Sequence, residues 1–382
     1  MKRFAPTALM LGNFVTGVSV MAPAGMLGQL AEGLDVTIRE AGLLVTFGAV
    51  VLCIGSPLTA WLTSRFDRRL LLAGTLMFMS AAHLASAFAP NYMALLAFRL
   101  VMLAVGALFT PQAAGTASMI VPPERRGGTM SYVFLGWSLA AALGLPAITY
   151  VASHSSWRFA YAGIAAIAFV SSLLVAWRLP AGLSGVLVDL KTWTVLGRNP
   201  LVLMLLVITS CHMAGQYVIF TFAAPLMTRL ANASPETIAF VFLTWGATSF
   251  VGNMLASRIV DSWGAWRSSL LFTVSLLTGV IGWAIGSETV PAIFAAIVFW
   301  GFGFAAINSM QQVRLVAAKP SLASASVSLN TSMLYIGQGI GSAIGGMLYV
   351  RSAFAAMNYA AIAFIVVALV LIVLTKPRAG AN

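Results

Sequence analysis

Charge is what this sequence has least of. Only 8% of its 382 residues are Asp, Glu, Lys or Arg, while 60% are hydrophobic, and the mean hydropathy is +0.96. Such a chain cannot cover a globule with a wettable surface, so the composition implies an integral membrane protein rather than a soluble domain. Cysteine is nearly absent. The 2 present, Cys53 and Cys211, lie inside apolar runs, so neither a disulfide framework nor a thiolate metal site is indicated. There are 3 histidines and 9 acids. Among them no metal-ligand spacing and no nucleophile with a base partner can be traced, and no glycine loop of the phosphate-cradling kind occurs. These gaps argue against an enzyme, a metal centre or a cofactor. Nor does any stretch have the form of a cleaved signal peptide: Lys2 and Arg3 lead into an apolar run that is too long and lacks a small-residue cleavage site, so the first segment is expected to be retained.

What the chain has in abundance is long apolar runs. Twelve can cross a hydrocarbon layer, near residues 5–30, 41–64, 70–89, 92–121, 129–152, 157–177, 200–227, 237–260, 268–287, 290–317, 326–349 and 353–375. The expected fold is therefore all-α, with twelve transmembrane helices. The longest polar interval predicts a boundary, giving an N-terminal six-helix bundle over 1–178, a cytoplasmic linker over 179–199 and a C-terminal six-helix bundle over 200–382.

The two halves read as copies. Gly55-Ser-Pro-Leu-Thr-Ala-Trp-Leu-Thr-Ser-Arg-Phe-Asp-Arg-Arg ends an apolar run in a charged turn, and Gly252-Asn-Met-Leu-Ala-Ser-Arg-Ile-Val-Asp does so again 197 residues later. The same shift carries Gly106 to Gly303, Pro123 to Pro320 and Gly144 to Gly341. One offset shared by four pairs points to a duplicated, pseudo-symmetric half.

A net charge of +12 would suggest nucleic acid in a soluble protein, but here the charge is distributed by side of the membrane. With both termini in the cytoplasm, that side receives Lys2, Arg3, Arg65, Arg68, Arg69, Arg125, Arg126, Arg178, Lys191, Arg198, Arg258, Arg267, Arg314, Lys319, Lys376 and Arg378. Only Arg39, Arg158, Arg229 and Arg351 fall outside. Basic residues in short loops set orientation, so the asymmetry predicts N-in and C-in topology in a plasma (inner) membrane, with the anionic leaflet as partner of the charge.

At these residues the chain resembles the major facilitator superfamily, whose members have two six-helix bundles around a central cavity. The family's loop between its second and third helices reads roughly Gly-x-x-x-Asp-Arg-x-Gly-Arg-Arg. Here the stretch from Ala60 keeps Arg65, Arg68 and Arg69, with Ser64 at the aspartate position and Asp67 at the second glycine. The copy in the second half, which carries Arg258, keeps Asp261 and Gly264 and has Ser257 at the first glycine. The resemblance implies that these loops brace the cytoplasmic side during gating, with Asp67 as a shifted carboxylate. Arg99-x6-Gly106, followed by Pro122-Pro123-Glu124-Arg125-Arg126, and Gly136-x7-Gly144-Leu145-Pro146, followed by Trp157-Arg158, look like the drug and sugar efflux antiporter branch, especially its arabinose-efflux-permease-like members. In the family the arginine matching Arg99 is implicated in coupling to proton movement.

Gly136 and Gly144 on span five, with Gly337, Gly341 and Gly345 on span eleven, suit close helix packing and sliding alike. Arg99 lies well within the apolar layer, where a cation needs a polar cavity or carbonyl partners; snorkelling to the outer leaflet is the other reading. No acid falls in mid-span. A proton, if carried, would therefore need His212, His83 or a carboxylate at a cavity mouth, with His83 expected to be structural. Neutral polar side chains mark spans one, four, seven, ten and eleven: Asn13, Gln112, Thr209 with His212 and Gln216, Asn308 with Gln311 and Gln312, and Thr331 with Tyr335 and Gln338. They read either as a binding site or as interhelical glue. Trp137, Trp245 and Trp300 read as walls of such a site, as bundle core or as interface anchors.

The expectation is a secondary active transporter working by alternating access, an efflux permease for a small neutral polar or amphipathic solute, with protons as a candidate coupling partner. It is expected to act as a monomer, without nucleic acid or cofactor. The alternatives are a uniporter or anion exchanger centred on Arg99, and a transporter-like membrane sensor that binds without turnover.

Overall fold

The computed structural model describes residues 4–63, 66–122, 126–183, 196–318 and 323–376. Among them 12 helices are long and apolar enough to span a bilayer, each on one of the expected stretches. The chain is an all-α, multi-pass membrane protein. Its contacts form two compact units, Met1–Val188 and Asp189–Asn382.

In the first unit, α1 (Ala5–Gly25) breaks at Met26 and continues as α2 (Leu27–Gly33). Spans two and three are α3 (Ile38–Leu62) and α4 (Arg68–Ala87). Span four is divided into α5 (Tyr92–Gly106) and α6 (Phe109–Met119). Span five runs as α7 (Arg126–Leu139), a π-helical turn at Ala140–Gly144, and α8 (Leu145–His154); span six is α9 (Trp157–Arg178). In the second unit, α10 (Pro200–Phe220) is followed across a short turn by α11 (Ala223–Ala231). Then come α12 (Pro235–Trp263), α13 (Ala265–Gly286), α14 (Val290–Ala318), α15 (Ala323–Val350) and α16 (Phe354–Leu374).

Proline explains most of the interruptions. A proline supplies no N–H to the carbonyl four residues back and crowds it. Pro111 follows the break at Ala107–Leu108, Pro225 follows the turn at Thr221–Phe222, and Pro146 stands just after the π-turn, whose closing bond runs from Leu145 N to Ala140 O. Helix starts carry side-chain caps where the sequence offers them: Asn91 accepts from Ala94 N at 2.9 Å, Asn199 from Leu201 N at 3.0 Å, and Ser234 from Thr237 N at 3.3 Å.

Both units use one packing scheme. In the first, α1 packs on α7 and α9, α4 on α9 and α5, and α3 on α5; in the second, α10 packs on α15 and α16, α13 on α16 and α14, and α12 on α14. These are the same pairings, span for span. The 197-residue offset also survives at a single contact: a Cβ on Gly106 would meet Met79 Sδ at 3.3 Å, one on Gly303 would meet Leu276 Cβ at 2.9 Å, and Met79 and Leu276 are themselves one offset apart.

Candidate functional site

In the first unit the polar groups gather around α1. Arg99 of α5 is buried, and its guanidinium donates from Nε to Leu44 O at 2.8 Å, from Nη1 to Ser19 O at 3.0 Å and from Nη2 to Val20 O at 3.1 Å. Ser19 lies four residues before Pro23, so the helix itself supplies no N–H to its carbonyl. Arg99 fills that vacancy, and Gly48 leaves room for it, since a Cβ there would stand 3.4 Å from Nη2. The cation points into the bundle on carbonyl partners and does not snorkel. Ser19 Oγ in turn lies 2.7 Å from His83 Nε2, and the His83 ring stacks 5.7 Å from that of Tyr161.

One to two turns away along α1, Asn13 is fully buried. Its Nδ2 donates to Val133 O at 3.0 Å and its Oδ1 accepts from Thr110 Oγ1 at 2.9 Å, while Trp137 Nε1 donates to the same Thr110 hydroxyl at 3.1 Å. Spans one, four and five are thus joined by one amide and one hydroxyl. Gln112 stands apart, with Nε2 donating to Thr63 Oγ1 at 3.4 Å.

The second unit repeats the junction with other residues. Thr209 Oγ1 of α10 donates to Asn330 Oδ1 of α15 at 2.6 Å, and Asn330 Nδ2 donates to Asn308 Oδ1 of α14 at 3.0 Å. Spans seven, ten and eleven are linked as spans one, four and five are, and Asn330 stands one offset after Val133, the residue that Asn13 engages. The other members of the α10 stripe diverge. His212 Nε2 lies 3.0 Å from Thr273 Oγ1 of α13, whereas Gln216 Oε1 accepts from Trp300 Nε1 at 3.2 Å and its Nε2 donates to His212 O. Side chains three and four apart on one helix share a face broadly, yet here each meets a different neighbour. Gln311 and Gln338 are buried on α14 and α15. Trp300 packs edge-on to Trp283, and Trp245 lies 4.5 Å from the Phe220 ring, so both belong to the unit's core.

The glycine ridge is a backbone contact. Cβ atoms on Gly337, Gly341 and Gly345 would strike the carbonyl oxygens of Ser210, Ala214 and Val218, successive turns of α10. Gly136 and Gly144 do the same work against α1, facing Met10 with Phe14 and Val18, and Pro146 sits in the first turn of α8.

Of the loop residues, Asp67 is the best defined. Its Oδ1 caps α4 by accepting from Leu70 N at 3.0 Å, and its Oδ2 accepts from Gly182 N at 2.5 Å just beyond α9. Arg68 N adds a bond to Leu183 O at 2.9 Å. Within the first unit, then, the shifted carboxylate ties the start of α4 to the segment that leaves α9. The Leu70 N–H, and secondarily those near Gly182, hold its pKa below the usual carboxylate range. The Arg68 side chain is buried, Arg69 half-buried and Arg258 exposed. Arg65 lies outside the described residues, as do the Asp261 side chain and most of the 179–199 interval.

Several members of these networks are missing from the sequence-based set, among them Ser19, Thr110, Thr273 and Asn330. Hydroxyls in spans are common and give no signal of their own. Asn330 could have been found by carrying Val133 forward by the repeat offset, because an amide there completes the junction that Asn13 makes in the first half.

Fold and polar junctions together define a multi-pass transporter scaffold. Residues 9–333 match the Major Facilitator Superfamily, and the chain belongs to that family. It is 26% identical over 340 residues to the inner membrane transport protein YdhP of Escherichia coli K12, covering 89% of this chain and 87% of that one. It is likewise 26% identical over 357 residues to a probable sugar efflux transporter of Mannheimia succiniciproducens, covering 93% and 89%. Among solved structures, a bacterial homolog of the human lysosomal transporter Spinster, in an inward-facing and occupied conformation, superimposes with a TM-score of 0.76 at 16% identity over 97% of this chain and 96% of that one. The protein is a membrane transporter of this superfamily, multi-pass in the inner membrane.

Proposed function

We propose that the chain exports a small neutral polar or amphipathic solute by alternating access, with 1–178 and 200–382 as its two moving halves, 179–199 as their linker and both termini in the cytoplasm. The observation that carries this reading is the pair of matching amide junctions, Asn13–Thr110 on spans one and four and Thr209–Asn330–Asn308 on spans seven, ten and eleven. Amides and hydroxyls without nearby acids suit a neutral, hydrogen-bonding solute better than a cationic one. The relatives named as sugar efflux transporters support both the direction and the polar substrate class. In this reading Asn13, Gln112, His212, Gln216, Asn308, Gln311 and Gln338 bind solute, Arg99 sets the shape of α1 beside them, and Arg65, Asp67, Arg68, Arg69, Arg258 and Asp261 gate the loops. Gly136, Gly144, Gly337, Gly341 and Gly345 form the surfaces on which helices shift. No acid lies in mid-span, which favours uniport as the second mechanism; if flux does follow a proton gradient, His212 and His83 are the carriers within the spans.

The experiment is solute flux in proteoliposomes with and without a pH gradient. Saturable flux of a neutral sugar or polyol that depends on Asn13 and Asn330 would support the reading. Saturable binding without flux would replace it with the sensor alternative.

A further inference from the structure

At one edge of the second unit, α13 begins beside the place where α16 ends. The two helices pack together, and side chains close the contact at that end. Trp266 Nε1 donates to Ile372 O at 2.7 Å, and the Lys376 ammonium stands 5.4 Å from the centroid of the same indole. Arg314 of α14 fixes the last turn of α16 by donating from Nη2 to Thr375 O at 3.3 Å and to the Thr375 hydroxyl. Arg267 follows Trp266 in the first turn of α13, which carries no acid. Arg267 and Lys376 are both exposed, and among the described residues neither meets a carboxylate. The apolar surface beside them is ordered in the same way. Leu271 and Val274 follow Arg267 by one and two turns on α13, while Val370, Val373 and Leu374 precede Lys376 on α16, and all five are exposed. Within a span such side chains face acyl chains. Each helix thus presents a lipid-facing apolar strip that ends in a cation, and one indole, which Lys376 covers and Arg267 follows in the chain, joins the two ends.

Cations without an acid among their described neighbours call for an anion, and cations at the foot of an apolar strip call for one that carries its charge at the head of an acyl chain. A guanidinium also matches phosphate oxygens in its fork, which an ammonium alone does not. We propose that this corner of the second unit binds one anionic phospholipid, with its phosphate on Arg267 and Lys376 and an acyl chain along Val274 and Val370. Trp266 then lies at the level of the glycerol and ester groups, the depth at which tryptophan is favoured. With both termini in the cytoplasm the lipid belongs to the cytoplasmic leaflet, but the binding itself depends neither on that orientation nor on which solute is exported.

The test uses the full chain in detergent, with thermal unfolding followed as dioleoyl phosphatidylglycerol, dioleoyl phosphatidylcholine or free glycerol phosphate is added. The wild type should show a saturable rise in Tm with phosphatidylglycerol, and neither the zwitterionic lipid nor the free phosphate should reproduce it. In Arg267→Gln and in Lys376→Gln the midpoint should move about five-fold higher, as expected for one cation at an anionic lipid surface. The double variant should lose the response within the range that saturates the wild type. Both side chains are exposed, so the variants fold. Arg351→Gln removes an exposed cation at the opposite end of α16 and should leave the midpoint where it was. A flat response to phosphatidylglycerol overturns the proposal. So does an equal rise with phosphatidylcholine, which is what interface anchoring alone would give, or with glycerol phosphate, which would make this a site for a free anion. An unmoved midpoint in the double variant, or an equal shift in Arg351→Gln, overturns it as well.

Discussion

Arg99 shows how a bilayer protein keeps a cation where water cannot reach it. Three carbonyl oxygens take the guanidinium, and one of them, Ser19 O, is available because Pro23 cannot serve it. Arg99→Ala should therefore insert normally yet lose stability on the order of 2 kcal/mol, since it leaves a buried carbonyl unmet, and transport should fall with it. Arg99→Lys keeps the charge without the planar fork and should recover only part of both. Thermal unfolding and flux on the same preparations check this, and a fully active Arg99→Ala would refute the assigned role. At Asn330, replacement by Ala removes two side-chain hydrogen bonds at once and should cost about 1 kcal/mol, a typical value for interhelical hydrogen bonds, but should reduce flux more than stability if the junction is where solute binds. Arg99 was legible in the sequence because the cost of a charge in hydrocarbon singles it out. Its partners were not, because a carbonyl carries no residue label, and Asn330 was overlooked because one more amide on a span does not by itself tell glue from site.

Spans one, four, five and seven are interrupted, each with a proline near its break, whereas Pro57 stands inside α3 without one. The sequence showed those prolines, but it read each span as continuous, because apolar periodicity survives a break of one or two residues. The glycine ridge is legible in the sequence as a face suited to packing and sliding alike; its partner, the carbonyl row of α10, carries no sequence signal. Gly341→Leu must push α15 off Ala214 O, with an expected loss on the order of 1–3 kcal/mol from overpacking. Gly28→Leu, which meets open space, should change Tm little. Equal losses at the two positions would contradict the ridge. Asp67 makes a separate claim about the loop. Its carboxylate is held below its usual pKa, so its contribution is complete above the unfolded value of about 3.9 and is lost as pH falls through the lower, folded value. Hydrogen-exchange protection at Leu70 and Gly182 should drop in that acid window in the wild type. In Asp67→Ala it should already be reduced by about 1 kcal/mol, as for a lost helix cap, and should be insensitive to pH there.

For the whole molecule, duplication was the most legible feature, because glycines at close approaches tolerate no substitute and so preserve the offset; Gly106 against Met79 and Gly303 against Leu276 are the same contact twice. Orientation rests on the distribution of Lys and Arg. A cysteine at Thr63, the first residue after α3, should react with an impermeant reagent in inside-out vesicles and not in right-side-out ones. The central claim is that the chain carries a neutral solute bound by its buried amides, and counterflow in proteoliposomes tests it most directly. Preloaded with an unlabelled neutral sugar or polyol, vesicles carrying the wild type should accumulate the labelled solute saturably without any ion gradient, and Asn13→Leu with Asn330→Leu should abolish that accumulation while the protein remains folded. Counterflow that persists at wild-type rate in the double variant, or none at all from a wild type that binds the solute, would contradict the account.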